Sequence, residues 1–410
     1  MANINRHTTT SVTKMTTDLP RTADLVIVGG GIVGAATAFF AARAGLRAVV
    51  LERRPALCTL TTPAATGAFR AQFDNPEEIA LVSESINLFE NFAEVAGLPG
   101  YELDLHQQGY LWLTTSPDMV ERQQALVARQ HAWGLTDVEW MDGDTVRSRF
   151  PYLAQEVLGA RFRQGDGWLD VRRLTMGYAE AAAARGVTFV VNTEVTGFDL
   201  QSGRVRAVST SHGPISTENA VIAAGPFSGV VAAMAGLDIS LSLVRRQKLV
   251  MPDVPEVPPD APMTIDEDTG AHWRPAMRGA YLLRTTPGVP PGPPLEDVPI
   301  SADFAFDLLD PASEHSVARI SPFWREVWAR QTSHWFLQAG QYAYTPDHKP
   351  YLGPSTIEGL YLNCGYSGHG IMASGGGSRL VVDTITGAVA RSENPFRPDR
   401  PFVPRDMDVL

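Results

Sequence analysis

The sequence predicts an α/β protein in which a discontinuous Rossmann-like domain is interleaved with an α+β substrate domain built on a mainly antiparallel sheet. Residues 24–53 show a strand, a glycine turn, a helix and a second strand in succession. Buried strands that run into glycine turns return at 219–229 and 359–370. Because segments without this pattern separate the three pieces, one α/β sheet is expected to be assembled from distant parts of the chain.

The first piece reads DLVIVGGGIVGAATAFFAARAGLRAVVLER and places Gly29, Gly31 and Gly34 in GxGxxG spacing. Gly29 permits the tight turn out of the strand, Gly31 lets a pyrophosphate approach the backbone, and Gly34 lets the helix lie near the strand. Glu52 follows the second strand, where its carboxylate would accept hydrogen bonds from ribose hydroxyls. The unit predicts a site for an adenine dinucleotide, and the alternative is a βαβ unit with a glycine turn and no ligand.

Composition excludes several classes of protein. The 410 residues carry 45 acidic and 34 basic side chains, and this formal net charge of −11 argues against a nucleic-acid partner. The two cysteines, Cys58 and Cys364, are too few for a disulfide framework, a zinc site or an iron–sulfur cluster. No metal site is predicted, and a reducing cytoplasm is the expected location.

Two segments were compared with targeting and membrane sequences. Residues 1–22 are Thr-rich and lack an apolar core, so we expect a disordered leader and not a secretory signal. The uncharged run 220–237 contains Gly225, Pro226 and Gly229, which suit a strand, a turn and a helix better than a membrane span. No membrane span is predicted.

Periodicity and end signals place the remaining elements. Asp170 is the predicted N-cap of a helix over 171–185 that Gly186 ends. Twelve of the thirty prolines fall in 252–299, which predicts loops and edge strands there. Further helices are predicted at 79–96, 120–134, 321–330 and 371–390, and a strand at 109–115. The dinucleotide-binding domain is expected to comprise 23–100, 159–240 and 341–410, the last with a C-terminal tail, and the substrate domain 101–158 and 241–340.

Five segments occur in the order found in the FAD-dependent D-amino-acid oxidase superfamily: DLVIVGGGIVGAATAFFAARAG, GAFRAQF, NAVIAAGPFSG, YAYTPDHKPYLG and GLYLNCGYSGHG. The chain most resembles the amine-oxidising branch of sarcosine oxidases, sarcosine and dimethylglycine dehydrogenases, and glycine oxidase, over about residues 24–392. The resemblance implies FAD as the dinucleotide. It also implies that a hydride, or its equivalent, passes from a C–H bond next to nitrogen to flavin N5, giving an imine that hydrolyses.

The resemblance further implies a set of FAD contacts. Its expected members are Gly29, Gly31, Ile32, Val33, Gly34, Glu52, Arg53, Thr61, Thr62, Gly67, Val195, Ala224, Gly225, Gly368, Gly370, Ile371 and Met372. His369 would add a hydrogen bond at the flavin's pyrimidine edge, or else only pack or cap. Non-covalent FAD is expected. Monomeric sarcosine oxidases attach the flavin to a cysteine, and this chain has Gly340 and Gln341 in that part of the sequence and no cysteine. The loop TTPAATGAF also lacks the attaching histidine of dimethylglycine dehydrogenases.

Arg70 is the first candidate for the substrate site. In sarcosine-oxidising relatives an arginine in the corresponding loop holds the substrate carboxylate, which a guanidinium matches in two hydrogen bonds. A surface or phosphate-loop arginine is the alternative. Tyr342 stands where glycine and D-amino-acid oxidases carry a carboxylate-binding arginine, which disfavours a plain D-amino acid. Tyr344 shares a strand face with Tyr342, so two phenols could cage an amine or simply pack in the core.

Met372 stands where monomeric sarcosine oxidases carry a carboxylate-holding lysine, and methionine cannot take that role. His272 and Arg274 share one strand face and are candidates for the missing cation. Some oxidases use a lysine near that strand to activate O2, and Lys248 is the nearest lysine here. Its role, and with it the choice between oxidase and dehydrogenase, stays open.

The sequence therefore predicts an FAD-dependent amine or amino-acid oxidase or dehydrogenase. Its substrate would be an N-substituted amino acid or a related secondary or tertiary amine, and its electron acceptor O2 or an electron-transfer partner. Three alternatives stay open. The same scaffold could oxidise a D-amino acid or a 2-hydroxy acid, or the chain could be a flavin subunit of a larger electron-transfer complex. A dehydrogenase using NAD alone is disfavoured by GYSGHG.

Overall fold

A computed structural model describes residues 15–331 and 333–403. Its strands, in chain order, are β1 (Met15–Thr16), β2 (Leu25–Val28), β3 (Ala48–Leu51), β4 (Ala68–Phe69), β5 (Tyr110–Thr114), β6 (Glu139–Asp142), β7 (Gly159–Arg163), β8 (Gly167–Trp168), β9 (Thr188–Val190), β10 (Val195–Gln201), β11 (Arg204–Thr210), β12 (Gly213–Ser216), β13 (Ala220–Ile222), β14 (Ser242–Met251), β15 (Met263–Asp266), β16 (Ala271–Ala276), β17 (Gly279–Arg284), β18 (Phe336–Tyr344), β19 (Tyr351–Pro354) and β20 (Leu360–Cys364).

The α-helices are α1 (Ile32–Arg43), α2 (Thr61–Ala64), α3 (Pro76–Glu90), α4 (Phe92–Ala96), α5 (Pro117–Ala132), α6 (Gly143–Arg149), α7 (Val171–Ala183), α8 (Ser228–Ala233), α9 (Asp303–Leu309), α10 (Trp324–Arg330) and α11 (Ser374–Thr386). Short 3-10 helices cover Gly225–Phe227, Val317–Arg319 and Arg391–Glu393.

The first large sheet contains seven strands in the order β1-β9-β3-β2-β13-β20-β19. Neighbouring strands are parallel except for β19 and β20, which are antiparallel. Helices α1, α7 and α11 pack together beside this sheet, and the ring of Phe39 in α1 lies 5.5 Å from that of Tyr178 in α7. Both faces of β2 are covered, because Ile27 joins the core under these helices while Val26 joins a second core shared with β11 and β12. This is the expected Rossmann-like layer.

The second large sheet contains eight strands in the order β18-β14-β17-β16-β15-β5-β7-β6. Only β15 and β5 pair in parallel, so the sheet is mainly antiparallel, as expected. Helices α9 and α10 lie near one another at this sheet, whose core includes the fully buried Trp273 and Trp324. Neither sheet is continuous in sequence, and the chain crosses between them several times.

Two predicted domain boundaries differ from the structure. Strand β7 belongs to the eight-stranded sheet, although the second dinucleotide-binding segment was expected to begin at 159. Strand β18 continues in the same sheet to Tyr344, beyond the expected end of the substrate segment at 340. Both strands pair along their length with substrate-domain strands, a long-range contact that local pattern does not reveal.

Some predicted elements change at their ends. Asp170 caps α7 as predicted, accepting hydrogen bonds from Arg172 N at 2.8 Å and Arg173 N at 3.0 Å. The single helix expected over 79–96 is broken at Asn91, which separates α3 from α4. The helix expected over 371–390 is the shorter α11, which Gly387 ends in a left-handed conformation. The proline-rich stretch holds three paired strands, β15 to β17, besides its loops.

The predicted leader is partly ordered. Residues 1–14 lie outside the described part of the chain, but Met15–Thr16 pair in parallel with Phe189 and Val190 of β9. The expectation of disorder is therefore wrong for this short segment. Within residues 15–331 and 333–403, no helix is both long enough and apolar enough to cross a membrane.

Candidate active site

The glycine turn lies at the carboxyl end of β2, the edge where open α/β sheets bind ligands. Gly29 has a φ of +116°, which favours glycine, and a Cβ there would lie 2.5 Å from Ala223 O. A Cβ on Gly34 would lie 1.9 Å from Gly29 O, so glycine is needed for α1 to pack against the turn. These two glycines serve backbone packing.

Gly31 differs from the other two glycines of the motif. It is the N-cap of α1 and offers no capping side chain of its own, and no acidic residue lies in the first turn. A Cβ on Gly31 would approach only Thr62 Oγ1, at 3.4 Å. Thr62 Oγ1 accepts a hydrogen bond of 3.3 Å from Ile32 N. The positive end of α1 thus faces a cavity across a glycine peptide, an arrangement that fits a diphosphate.

Glu52, after β3, organises the turn beside this helix end. Its Oε2 accepts a hydrogen bond from Gly30 N and its Oε1 one from Arg54 N, both at 2.8 Å. Burial raises the pKa of Glu52, and these two hydrogen bonds oppose that effect. Gly30 was missed by the sequence analysis, although a Cβ there would lie 2.5 Å from Leu57 Cδ2. The run of three glycines, Gly29 to Gly31, was the sequence feature that could have identified Gly30.

A first cavity of about 260 Å³ runs from this turn toward strands β14 and β18. Most of the expected FAD contacts line it, namely Gly29, Gly31, Ile32, Val33, Glu52, Arg53, Thr61, Thr62, Val195, Ala224, Gly225, Gly368, Gly370 and Ile371. The lining also includes Val28 and Leu51, the last residues of the parallel strands β2 and β3. The Arg53 guanidinium lies 3.9 Å from the centre of the Phe227 ring, which the sequence analysis did not identify. The open peptide at Gly31, the neighbouring carboxylate of Glu52 and a lining that extends from the glycine turn to β14 and β18 fit FAD.

A second cavity of about 100 Å³ adjoins the first. Five of the proposed substrate residues line it: Arg70, His272, Tyr342, Tyr344 and His369. Tyr342, Gly368 and Ile371 line both cavities and therefore stand at their junction. Gly368 has a φ of +95°, and a Cβ there would lie 2.4 Å from the Tyr342 ring, so glycine lets this ring reach the junction.

Three residues of the expected FAD set do not line the first cavity. Gly67 and Met372 line the second cavity only, and Gly34 lines neither cavity. His369, expected at the flavin's pyrimidine edge, also lines only the second cavity. Its ring packs edge-on against Phe73 at 5.0 Å, and its Nδ1 lies 3.7 Å from Glu78 Oε1. Each of these residues is adjacent in sequence to one that lines the first cavity, so sequence position alone did not separate them.

Arg70 is only 1% exposed and lies in the second cavity, so the surface alternative is excluded. Its Nη1 donates to Gln72 O at 3.3 Å, and its Nη2 lies 3.3 Å from His369 Nε2. The guanidinium carbon lies 4.4 Å from the Phe73 ring centre and 5.3 Å from that of Trp112. Both aromatic rings lie within cation–π distance of the guanidinium and stabilise its charge.

Asp166 holds the segment that follows Arg70. This fully buried carboxylate accepts hydrogen bonds from Ala71 N at 2.9 Å and Gln72 Nε2 at 2.8 Å, and it pairs with Arg163 at 2.6 Å. Burial raises the pKa of Asp166, while Arg163 and the hydrogen bonds lower it. Asp166 was not identified from sequence, because its partners are about 95 residues away along the chain.

The structure separates His272 and Arg274, which the sequence analysis paired as a source of positive charge. Burial lowers the pKa of His272 to about 4, so its imidazole is neutral at pH 7. Arg274 lines neither cavity. It donates to Thr66 O through Nε at 3.1 Å and to Pro275 O at 2.7 Å. Neither residue therefore replaces the lysine that monomeric sarcosine oxidases carry at the position of Met372. Arg274 instead holds the loop after α2 by hydrogen bonds to Thr66 O.

Two cationic side chains of β14 reach the cavities, and neither had been assigned a role. Lys248 is 3% exposed, lines the first cavity and donates from Nζ to Ala65 O at 2.9 Å. Burial, with a smaller contribution from the charge of Arg274, lowers its pKa to about 7. Arg246 lines both cavities and donates to the Tyr344 hydroxyl at 3.0 Å. Arg246 and Lys248 are two residues apart on one strand and so share a face, which is the sequence feature that could have indicated that both reach the cavities.

Comparison with known proteins agrees with this architecture. The model of the family described as FAD dependent oxidoreductase matches residues 24–384. Sarcosine dehydrogenase, mitochondrial, from Homo sapiens is 26% identical over 366 residues, covering 87% of this chain and 39% of that protein. Glycine oxidase from Pseudomonas putida is 26% identical over 376 residues, covering 89% and 94% respectively. L-proline dehydrogenase from P. horikoshii superposes with a TM-score of 0.79 at 24% identity, covering 92% and 96%, which supports the fold alone.

These matches confirm the resemblance to the D-amino-acid oxidase superfamily and to its sarcosine dehydrogenase and glycine oxidase branch. The chain spans only 39% of the length of the human sarcosine dehydrogenase that it matches. The family match alone covers well over half of the chain. The chain belongs to the FAD dependent oxidoreductase family, and FAD is its cofactor.

Proposed function

We propose that this protein uses FAD to oxidise the C–N bond of an N-substituted amino acid or a related secondary or tertiary amine. The observation that carries the proposal is the junction of the two cavities. The cavity at the glycine turn opens at Tyr342 and Gly368 onto a smaller one that contains the buried guanidinium of Arg70. Similarity to sarcosine dehydrogenase and glycine oxidase supports the same class of substrate.

Each side chain of the second cavity would have a defined task. Arg70 would bind the substrate carboxylate in two hydrogen bonds and thereby orient the carbon next to nitrogen toward the first cavity. Tyr110, Trp112 and Met372 would exclude water around it. Bound FAD supplies the acceptor for two electrons from that C–H bond.

The charge of the second cavity would also select the protonation state of the amine. Among the described residues, its lining includes Arg70, Arg246 and Arg284 but no aspartate or glutamate. Such surroundings disfavour an ammonium ion and favour the neutral amine. The neutral form is the reactive one, since its nitrogen lone pair can assist loss of hydride from the adjacent carbon.

Anaerobic mixing of the FAD-loaded protein with N-methylated, cyclic and D-amino acids tests the proposal. We expect the flavin absorbance to bleach with N-substituted amino acids and not with 2-hydroxy acids or simple D-amino acids. Bleaching only by a 2-hydroxy acid, or by none of these compounds, would overturn it. Admission of air after bleaching then separates an oxidase, which recovers its colour at once, from a dehydrogenase, which needs another acceptor.

We further propose that FAD is held without a covalent bond and that the protein is cytoplasmic. Cys364 lines the first cavity, but burial raises the pKa of its thiol to about 12 and keeps it unreactive. Acid precipitation should therefore leave the yellow colour in the supernatant, and a yellow pellet would contradict this.

The cytoplasmic location rests on the two unpaired cysteines, whereas the similar human enzyme is named mitochondrial. Cell fractionation decides between them.

A further inference from the structure

Arg246 is a cation in the second cavity that lacks a carboxylate partner. Its Nη1 donates to Thr286 O at 3.1 Å and its Nη2 to the Tyr344 hydroxyl at 3.0 Å. Its Nε is buried and has no hydrogen-bond partner. Among the described residues, no carboxylate lies within ion-pairing distance of it. Arg246 as a whole is half-buried, and a buried guanidinium N–H without an acceptor favours a ligand that supplies one.

Two neighbouring arginines, unlike Arg246, either pair with a carboxylate or lie outside the two cavities. Arg284, which also lines the second cavity, pairs with Asp307 at 2.7 Å. Arg245 is adjacent in sequence but lines neither of the two cavities, and it donates to Pro299 O at the surface. Arg246 therefore stands out as the cation of β14 that faces the substrate side with its charge unbalanced.

Arg246 and Arg70 occupy different parts of the second cavity. Arg70 is packed between Phe73 and Trp112, whereas the Arg246 guanidinium lies 5.9 Å from the Tyr342 ring centre and 5.6 Å from that of Tyr344. The charges of both arginines lower the pKa of Tyr342, which burial, the larger effect, raises to about 12. Tyr342 thus lies within electrostatic range of both cations, at the junction with the first cavity.

We propose that the substrate carries two anionic groups, the first bound by Arg70 and the second by Arg246, and that Arg246 determines this specificity. The inference rests on the proposed function and narrows its substrate class to amines that bear two carboxylates or a comparable pair of acids. The amine nitrogen would lie between the two acids, near Tyr342 and the junction of the cavities. The second acid would accept hydrogen bonds from Nε, which has none now, and from one Nη.

A matched pair of unreactive ligands tests this class without any oxidation step. Thiodiacetate and (methylthio)acetate share one carboxylate and a thioether in place of the amine, and they differ only by the second carboxylate. We would titrate each into the FAD-loaded protein and measure Kd from the flavin absorbance change and by calorimetry. We expect thiodiacetate to bind at least about tenfold more tightly, the effect of one additional charge-assisted pair.

Variants assign the preference to one side chain. Arg246→Gln should abolish the tenfold preference and leave the Kd of (methylthio)acetate within about twofold, since only the second acid would lose a partner. Arg245→Gln is the control for loss of a neighbouring charge and should keep the preference. If Arg246→Gln folds poorly, Arg246→Lys keeps the positive charge but loses the planar fork of donors, and it should reduce the preference without abolishing it.

Three results would overturn the inference: equal affinity of the wild-type protein for both ligands, a parallel loss of both in Arg246→Gln, or loss of FAD with the preference intact. The last would assign Arg246 to the cofactor. The proposed function has a separate readout, because flavin bleaching by amines can fail while the thioether preference remains, and the reverse can also occur.

Discussion

The Gly34 backbone is so close to the Gly29 carbonyl oxygen that a Cβ on Gly34 would lie 1.9 Å from it. The same atom added to Gly31 would meet only Thr62 Oγ1, at 3.4 Å. Gly29 and Gly34 are thus constrained by the protein's own backbone. The backbone leaves room for a Cβ at Gly31, and we propose that the FAD diphosphate requires glycine there.

The two glycines should therefore respond differently to alanine. Gly31→Ala should leave the Tm of the apoprotein within a few degrees of wild type, because φ at Gly31 is −77° and the added methyl has room. It should weaken FAD binding about tenfold or more by holding the diphosphate away from the helix end.

Gly34→Ala is the matched comparison and should destabilise the apoprotein itself, since backbone must move to admit the methyl. Thermal unfolding without FAD and reconstitution titrations with FAD measure the two effects. Equal loss of apoprotein stability in both variants would show that Gly31 also serves only packing.

Glu52→Gln should weaken FAD binding by about tenfold while the protein stays folded. The carboxylate already accepts hydrogen bonds from Gly30 and Arg54, and an amide has one acceptor oxygen instead of two. One of these bonds, or the expected one from the ribose, must then be lost. Glu194→Gln is the control, because Glu194 lines the same cavity but is exposed. A similar loss of FAD affinity in both variants would contradict a specific role for Glu52.

Arg70→Gln should raise the Kd for acidic ligands by about tenfold to a hundredfold, the effect of removing a bidentate charged pair. FAD content should not change, because Arg70 lines only the second cavity. Ligand titrations monitored by flavin absorbance, with FAD content measured in parallel, check both statements. Unchanged affinity for (methylthio)acetate would remove Arg70 from the site.

Lys248→Met should stabilise the apoprotein, and more strongly at low pH. Because burial lowers the pKa of Lys248 to about 7, the unfolded chain binds more protons between that pH and about 10.5. The cost of burying the charge is fully present below pH 7 and is relieved as the pH rises. It changes by up to about 1.4 kcal/mol per pH unit in this window.

Denaturant unfolding of both apoproteins at pH 6 and pH 9 measures the effect. The free energy of unfolding of the variant should exceed that of wild type by more at pH 6 than at pH 9. A difference independent of pH would contradict the lowered pKa. Loss of the Lys248 hydrogen bond to Ala65 O would appear instead as a constant destabilisation.

Local pattern predicted the parts of the fold that depend on near neighbours. The βαβ unit at 24–53, the cap at Asp170 and the glycine turn at Gly368 are each specified by a few adjacent residues. Helix ends were predicted less well, since Asn91 breaks a helix whose apolar spacing continues. Strand β7 was placed in the wrong domain because its partners β5 and β6 lie elsewhere in the sequence.

The sequence by itself determined the family and the dinucleotide turn, and it singled out Arg70 of the GAFRAQF segment as a candidate, while the burial of Arg70 came from the structure. Only the tertiary structure decided which cavity each side chain lines: it placed Met372 and His369 in the second cavity, left His272 neutral and brought Arg246 beside Tyr342. The physical reason is that glycine turns and caps are properties of contiguous backbone. Burial, charge balance and cavity lining arise from segments that meet only after two discontinuous sheets have assembled.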